Sequence, residues 1–385
     1  MSRIVITGLG NLGGEVLYTL ARTSGIKEII ATDIDEKKES KVRNAIHGSA
    51  TLGLYTKIQF RTLDLNNIEV TSEFLRETSP DLIFNTSCLQ PFWKFEEDLP
   101  KTMAYKITEA SSVGFCSALP WRIILPYKLM QAVKKSKIKT HVLITNDPCE
   151  VINPMLEKVG LAPTTGIGDF AHAIQPIRRI VSYKLNVPML SVKVYLIAHH
   201  SILHLFQRNI IPSDSTYFLK VMVEDKDITK EWKPSEILLA AVGGARTQEG
   251  RFRVPFDYYY TASLAVGDML AILNDTGEIR HCPGPSGHLG GYPVRLDAKG
   301  AEVFLPEGIS LKEAVKMHQE SQKYEGIDEV REDGTVILTD QAVKTLEEAL
   351  PWDIKKQWHV TDCEKIAEEY DHTYKEFIAK FKKQD

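Results

Sequence analysis

Paired cysteines, long apolar runs and an excess of charge of either sign are all missing from this sequence. Its five cysteines, Cys88, Cys116, Cys149, Cys282 and Cys363, are odd in number, widely scattered and never spaced as CxxC. That argues against a disulfide framework and against structural zinc, and fits reduced thiols in a reducing compartment. No window of about 18 uninterrupted apolar residues is present, so no membrane span is expected. The N-terminus passes at once into a strand pattern, without the charged-then-apolar order of a signal segment, which points to a cytoplasmic protein. With 47 Lys+Arg against 51 Asp+Glu the net charge is −4, and no basic stripe suggests a nucleic-acid partner. Internal repeats and low-complexity segments are also lacking.

What is present is an ordinary globular composition, 43% hydrophobic and 25% charged over 385 residues. At roughly 100–200 residues per domain, that length predicts two domains with room for a tail. Arg3–Thr7 is a short apolar run of the kind buried on both faces of a sheet, and it leads into Gly8-Leu-Gly10-Asn11-Leu12-Gly13, a GxGxxG turn. Val16, Leu17, Leu20 and Ala21 follow at helical spacing, then a second apolar run, Glu28–Thr32, which ends in Asp33. Strand, glycine turn, helix, strand and acid is the context that a dinucleotide site requires. Gly8 allows the tight turn, Gly10 the approach of a pyrophosphate and Gly13 the packing of helix on strand. The N–H groups of the helix start, from Asn11 and Leu12, face the phosphates. Asp33 would accept from ribose hydroxyls, and its charge favours NAD over NADP.

Strand patterns recur at Lys57–Phe60, Asp81–Phe84 and Thr140–Thr145, with helical patterns at Val70–Glu77 and Leu125–Lys135 between them. This alternation predicts an α/β, doubly wound parallel sheet. Ligands bind at the carboxyl ends of such strands, so Asn85–Cys88, including Thr86, and Asn146–Pro148 are expected beside the cofactor. Gln90–Asp98 is aromatic and charged without a clear period, and reads as a lid. Further on, Val151–Val159 reads as a helix, Gly166–Gly168 as a turn and Ala173–Leu185 as a helix. Ser191–Ala198 reads as a strand delivering His199 and His200 on opposite faces. His281–His288, dense in Gly and Pro, reads as a flexible surface loop.

In order and spacing these segments resemble the lactate/malate dehydrogenase superfamily over roughly residues 1–322. The likeness rests on the nucleotide fingerprint with Asp33, Val142–Pro148, Thr165–Gly168, Tyr183–Leu185, Tyr195–His200, Thr261–Leu270, Gly291–Leu296, Gly300–Pro306 and Ser310–Ser321. It implies a Rossmann domain over 1–149, an α+β substrate domain over 150–322, and a small-molecule substrate in a homodimer or homotetramer. It also implies an NAD-dependent oxidoreductase acting on CH–OH, in which His200 exchanges a proton with the substrate hydroxyl, with His199 structural. His172 and Gln175 fall where the family has its histidine-orienting aspartate and its carboxylate-gripping arginine. Glutamine cannot replace that charge, so a polyhydroxylated or sugar-derived substrate suits these residues better than a simple keto acid. The family's lid arginine is also missing; Lys94 and Arg122 are the candidate cations, with Asn146, Thr86 and Gln175 as hydrogen-bonding groups.

The apolar run Ser201–Phe206 after His200 departs from the dehydrogenases and bears a distant likeness to the NAD-dependent family 4 glycosidases. There, Asp169, His172 and His200 would offer mixed N and O ligands for a divalent metal in a redox-assisted hydrolase or lyase; metal is nonetheless not expected. A nucleotide-binding protein without catalysis is a third reading. Residues 323–385 form an extension, with a hairpin at Ile327–Thr339 and helices at Asp340–Leu350 and Cys363–Phe381. The second helix has a stripe of Ile366, Tyr370, Tyr374, Phe377 and Phe381, expected to make a subunit contact or to cover the substrate domain.

Overall fold

The computed structural model describes residues 2–91, 93–108, 116–245, 258–350 and 353–380. Phe381, expected at the end of the last helix, and Phe92 of the expected lid lie outside them. Short β-branched runs form β1 (Ser2–Thr7), β2 (Ile26–Asp33), β3 (Lys57–Thr62), β4 (Leu82–Asn85), β5 (His141–Ile144) and β6 (Thr165–Gly166). They pair in parallel in the order β3-β2-β1-β4-β5-β6. Between and after them run α1 (Asn11–Ala21), α2 (Glu39–Thr51), α3 (Ile68–Thr78), α4 (Trp93–Asp98), α5 (Lys101–Thr108), α6 (Leu119–Ser136) and α7 (Cys149–Lys158). The expected doubly wound sheet is therefore present, and it runs past residue 149, since β6 belongs to it. Gly166, expected to open a turn over Gly166–Gly168, belongs with Thr165 to an edge strand because the pair continues the ladder beside β5.

The second part contains α8 (Ala171–Leu185), β7 (Val192–Ala198), α9 (His200–Gln207), β8 (Tyr217–Val223), β9 (Lys226–Asp227), α10 (Pro234–Val242) and α11 (Tyr258–Leu273). It continues with β10 (Glu278–Pro283), β11 (Gly291–Asp297), β12 (Gly300–Val303) and α12 (Leu311–Ser321). Its sheet has the order β10-β11-β7-β8-β9, with β12 on β11. His281–Pro283 belong to β10, and His281 and Cys282 are buried, so the expected surface loop is the buried end of an edge strand followed by a tight turn. The Gly and Pro residues there serve close packing: a Cβ on Gly287 would meet the Glu157 side chain at 2.2 Å.

The extension supplies β13 (Ile327–Val330), β14 (Thr335–Leu338), α13 (Asp340–Ala349), β15 (Gln357–His359) and α14 (Cys363–Ile378). The hairpin forms as expected, with β15 as a third strand on β14. Its apolar stripe does not cover the second part. Ile366, Tyr370 and Tyr374 share one core with Trp121, Ile124 and Phe95 of the first part, and Tyr374 donates to Asp98 Oδ2 at 3.0 Å. The alternation of side chains along each strand explains how two partners share one sheet. Val5, Ile30 and Ile83 face the core that holds the extension. Ile4, Ile6, Ile29 and Phe84 face a second core that holds α1, α11 and β11. Among the described residues no helix is long and apolar enough to cross a membrane.

Candidate functional site

The strand order reverses between β1 and β4, and a crevice is expected where such an order reverses. A cleft of about 920 Å³ opens there, and its lining runs from Gly8, Gly10, Asn11, Leu12 and Asp33 to Asp169, His172, His200 and His204. At its first end the glycine turn divides into two kinds of position. A Cβ on Gly13 would lie 1.9 Å from the Gly8 carbonyl oxygen, and Gly8 itself sits at φ +90 against Ser87 and Thr86. Gly10, by contrast, would point a Cβ into space with nothing within 4 Å. That open cradle, at the N-terminus of α1, fits a pyrophosphate held by backbone N–H groups. Asp33 at the end of β2 accepts from Leu9 N at 2.7 Å and Asp35 N at 2.9 Å, so it shapes the turn as well as lining the cleft. Thr86 donates to the Gly8 carbonyl at 2.8 Å and ties β4 to the same turn.

Asn146, expected to hold substrate or nicotinamide, lines the cleft but is engaged by the protein. Its amide donates to Ser87 O at 2.9 Å and Arg122 O at 3.2 Å, and accepts from Asn85 Nδ2 at 2.8 Å. It therefore braces the ends of β4 and β5. Arg122 is the one Lys or Arg among the described lining residues; it is buried, and its Nη1 donates to Asp147 O at 2.6 Å. Lys94 does not line the cleft: on α4 its ammonium pairs with Asp98 at 3.2 Å and Glu97 at 3.3 Å. The expected lid is in part a helix because these i,i+3 and i,i+4 pairs support one. Gln175 is likewise not among the lining residues, although His172, three residues earlier on α8, is.

At the second end, the strand β7 stops at Ala198. His199 caps α9, its side chain accepting from Ser201 N at 3.3 Å, and His200 is the first helical residue. The two histidines are thus separated by a strand-to-helix turn, not by strand alternation. This turn faces His200 into the cleft and puts His204 one turn further on, the two rings 4.1 Å apart. The Glu150 carboxylate accepts from the His200 backbone N–H, and Glu325 Oε1 lies 2.8 Å from His200 Nδ1. Asp169 Oδ1 stands 3.6 Å from Nε2. Gly168 at φ +109 and Asp169 at φ +53 turn the chain so that this carboxylate reaches the ring. Burial alone would lower the pKa of His200, but Asp169 and Glu325 outweigh it and push it up to about 10. Burial raises Asp169 to about 7, against the pull of His200.

His172 does not orient His200. Its Nδ1 lies 3.0 Å from Asp169 O and its Nε2 2.9 Å from Thr261 Oγ1, so it fastens α8 to α11. The set Asp169, His172 and His200 does not converge as a metal site. Instead His200, His204 and Glu325, all buried, bring ligand atoms within 4.8 Å of one another. Two histidines four apart on one helix were legible in His200–Phe206 had it been read at helical spacing; Glu325 carries no local signal.

No protein-family model and no curated protein matches the chain. Solved structures do. A lactate dehydrogenase enzyme, MGS-M5, from a Medee basin deep-sea metagenome library superposes with TM-score 0.57 at 15% identity, over 90% of this chain and 98% of that one. The lactate dehydrogenase of Cryptosporidium parvum, solved with lactic acid and nicotinamide adenine dinucleotide, has TM-score 0.57 at 16% identity, over 83% and 94%. The malate dehydrogenase of Cryptosporidium parvum has TM-score 0.57 at 18% identity, over 84% and 98%. The fold is therefore that of lactate and malate dehydrogenases, a Rossmann domain followed by their second domain.

Proposed function

We propose that the chain is an NAD-dependent oxidoreductase that interconverts a secondary alcohol and its ketone. The observation that carries this reading is the continuity of one cleft from the open Gly10 cradle to His200. NAD bound along it would supply the hydride acceptor or donor. The chain's own part is to hold the phosphates on the start of α1, to accept the ribose hydroxyls on Asp33, and to move the hydroxyl proton on His200 Nε2. In the ketone-reducing direction a protonated His200 is already charged for its task. The described lining supports the substrate class: besides His200, its one Lys or Arg is Arg122, bonded to Asp147 O, while Gln207, Thr261, His172 and Ser87 are neutral hydrogen-bonding groups. A polyhydroxylated or sugar-derived alcohol suits such a lining better than a keto acid. Asp33 favours NAD over NADP.

The grouping of His200, His204 and Glu325 supports a second reading, a metal-assisted oxidation with His200 as a ligand in place of a proton carrier. One experiment separates the two. NADH fluorescence titration of the wild type and Gly10→Ala, followed by a screen of hydroxy acids and sugar derivatives for NADH formation, is run with and without EDTA. The first reading predicts binding, weakened by about tenfold or more in G10A, and turnover indifferent to EDTA. Turnover abolished by EDTA and restored by a divalent ion favours the second. Absence of NADH binding by the wild type overturns both.

A further inference from the structure

We infer that Glu325, contributed by the start of the C-terminal extension, is the positioning residue that fixes the ring of His200. This deepens the proton-carrier reading of His200 and rests on it. A histidine that exchanges a proton through one nitrogen needs its other nitrogen held, so that tautomer and ring orientation are set before substrate arrives. Among the described contacts of His200, three other groups stand away from Nδ1, and His204 meets the ring edge-on, the two centroids 4.1 Å apart. His172 uses both nitrogens elsewhere, on Asp169 O and Thr261 Oγ1. Glu150 takes the backbone N–H of His200, not its ring. Asp169 approaches Nε2 at 3.6 Å, on the side that lines the cleft. Glu325 alone of these stands on Nδ1, at 2.8 Å, and it is 1% exposed. With the Glu325 carboxylate oxygen as acceptor, Nδ1 is the donor and carries the proton.

The surroundings hold Glu325 in place. It ends the turn Gln322–Glu325, and Gly326 at φ +76 then bends the chain into β13. Thr339 N donates to Gly326 O at 2.9 Å, and Ser201 Oγ on α9 donates to Ser321 O at 2.9 Å. The hairpin and helices that follow are packed on the first part. The extension is thus a support for the site, placed 125 residues away in sequence from the histidine it holds.

The test is imidazole NMR of the full-length, 15N-histidine-labelled protein, with H200N to assign the resonance, comparing wild type, E325Q and E325A, each also titrated with NADH. The wild type is expected to have a downfield, strongly hydrogen-bonded Nδ1 proton on His200. In E325Q, where the acceptor stays and its charge goes, that proton moves upfield; in E325A it is lost, and NADH affinity is unchanged in both. A His200 signal unmoved by E325Q overturns the proposal even where E325A does not fold. So does a wild-type His200 with no Nδ1 proton, the pattern of the opposite tautomer or of a metal ligand. Failure of the wild type to bind NADH would instead overturn the oxidoreductase reading, and leaves the resonance as a separate measure of the Glu325 contact.

Discussion

A methyl group on Gly13 would sit 1.9 Å from the Gly8 carbonyl oxygen, whereas the same group on Gly10 would meet no atom within 4 Å. The two glycines of one motif therefore fail differently. Gly13→Ala is expected to destabilise the fold by about 1–3 kcal/mol, the usual cost of overpacking, seen as a lowered urea midpoint. Gly10→Ala is expected to lower that midpoint far less than Gly13→Ala and to weaken NADH, because Gly10 has a negative φ of −62 and open space where the methyl group would stand. Equal losses of stability in the two variants would mean that the Gly10 space is not a cradle. This part of the site was legible in the sequence because strand, turn, helix and acid are consecutive. The place of His200 in the cleft was legible by resemblance. Gln175 and Lys94 were misplaced because spacing says which residues share a helix face, not how far that face stands from the cleft. Glu325 was missed because a contact across 125 residues has no local pattern.

The elements of the first sheet were legible for the same reason that parallel sheets are buried: β1, β2 and β4 are continuous apolar runs with no polar face to confuse the period. Less legible were short elements fixed by their neighbours, such as β6, two residues long and defined by pairing with β5. The helix α14 gives the third case, where pattern is right and docking wrong. Its stripe is apolar as read, but it closes on Trp121 and Phe95, with Tyr374 and Phe95 rings 5.4 Å apart and nearly perpendicular. Tyr374→Ala is accordingly expected to destabilise the protein by about 3–5 kcal/mol, as loss of a buried aromatic does, measured by denaturant unfolding. A change below about 1 kcal/mol, the scale of surface substitutions, would return this face to the role of a subunit contact.

For the molecule as a whole, buried neutral histidines make a contribution to stability that acid removes. Burial pushes the pKa of His281 from 6.5 down to about 3 and keeps His318 well below its ordinary value, and both ring nitrogens of each lack a hydrogen-bond partner. The folded chain keeps these rings neutral while the unfolded chain protonates them below about 6.5, so stability is lost as pH falls through that value. The slope is roughly 1.4 kcal/mol per pH unit for each imidazole. Asp169 and Asp268, raised by burial to about 7 and about 6, act in the opposite sense over the same range, so the histidine contribution is read as a difference: between pH 7 and pH 5.5 the urea midpoint of His318→Phe should fall less, or rise more, than that of the wild type by about one proton's share, and an unchanged slope would mean that His318 is already charged. Among the described residues the chain passes between its two large parts twice, first at Gly168–Asp169 and again at Ser321–Gly326, and each passage leaves a carboxylate against His200, Asp169 on Nε2 and Glu325 on Nδ1. The imidazole is thus clamped where both seams of the chain meet, while Ile4, Ile6 and Phe84 share a buried core with Ala262, Val294 and Leu296 beyond it. A disturbance that loosens either seam therefore reaches the reacting end first.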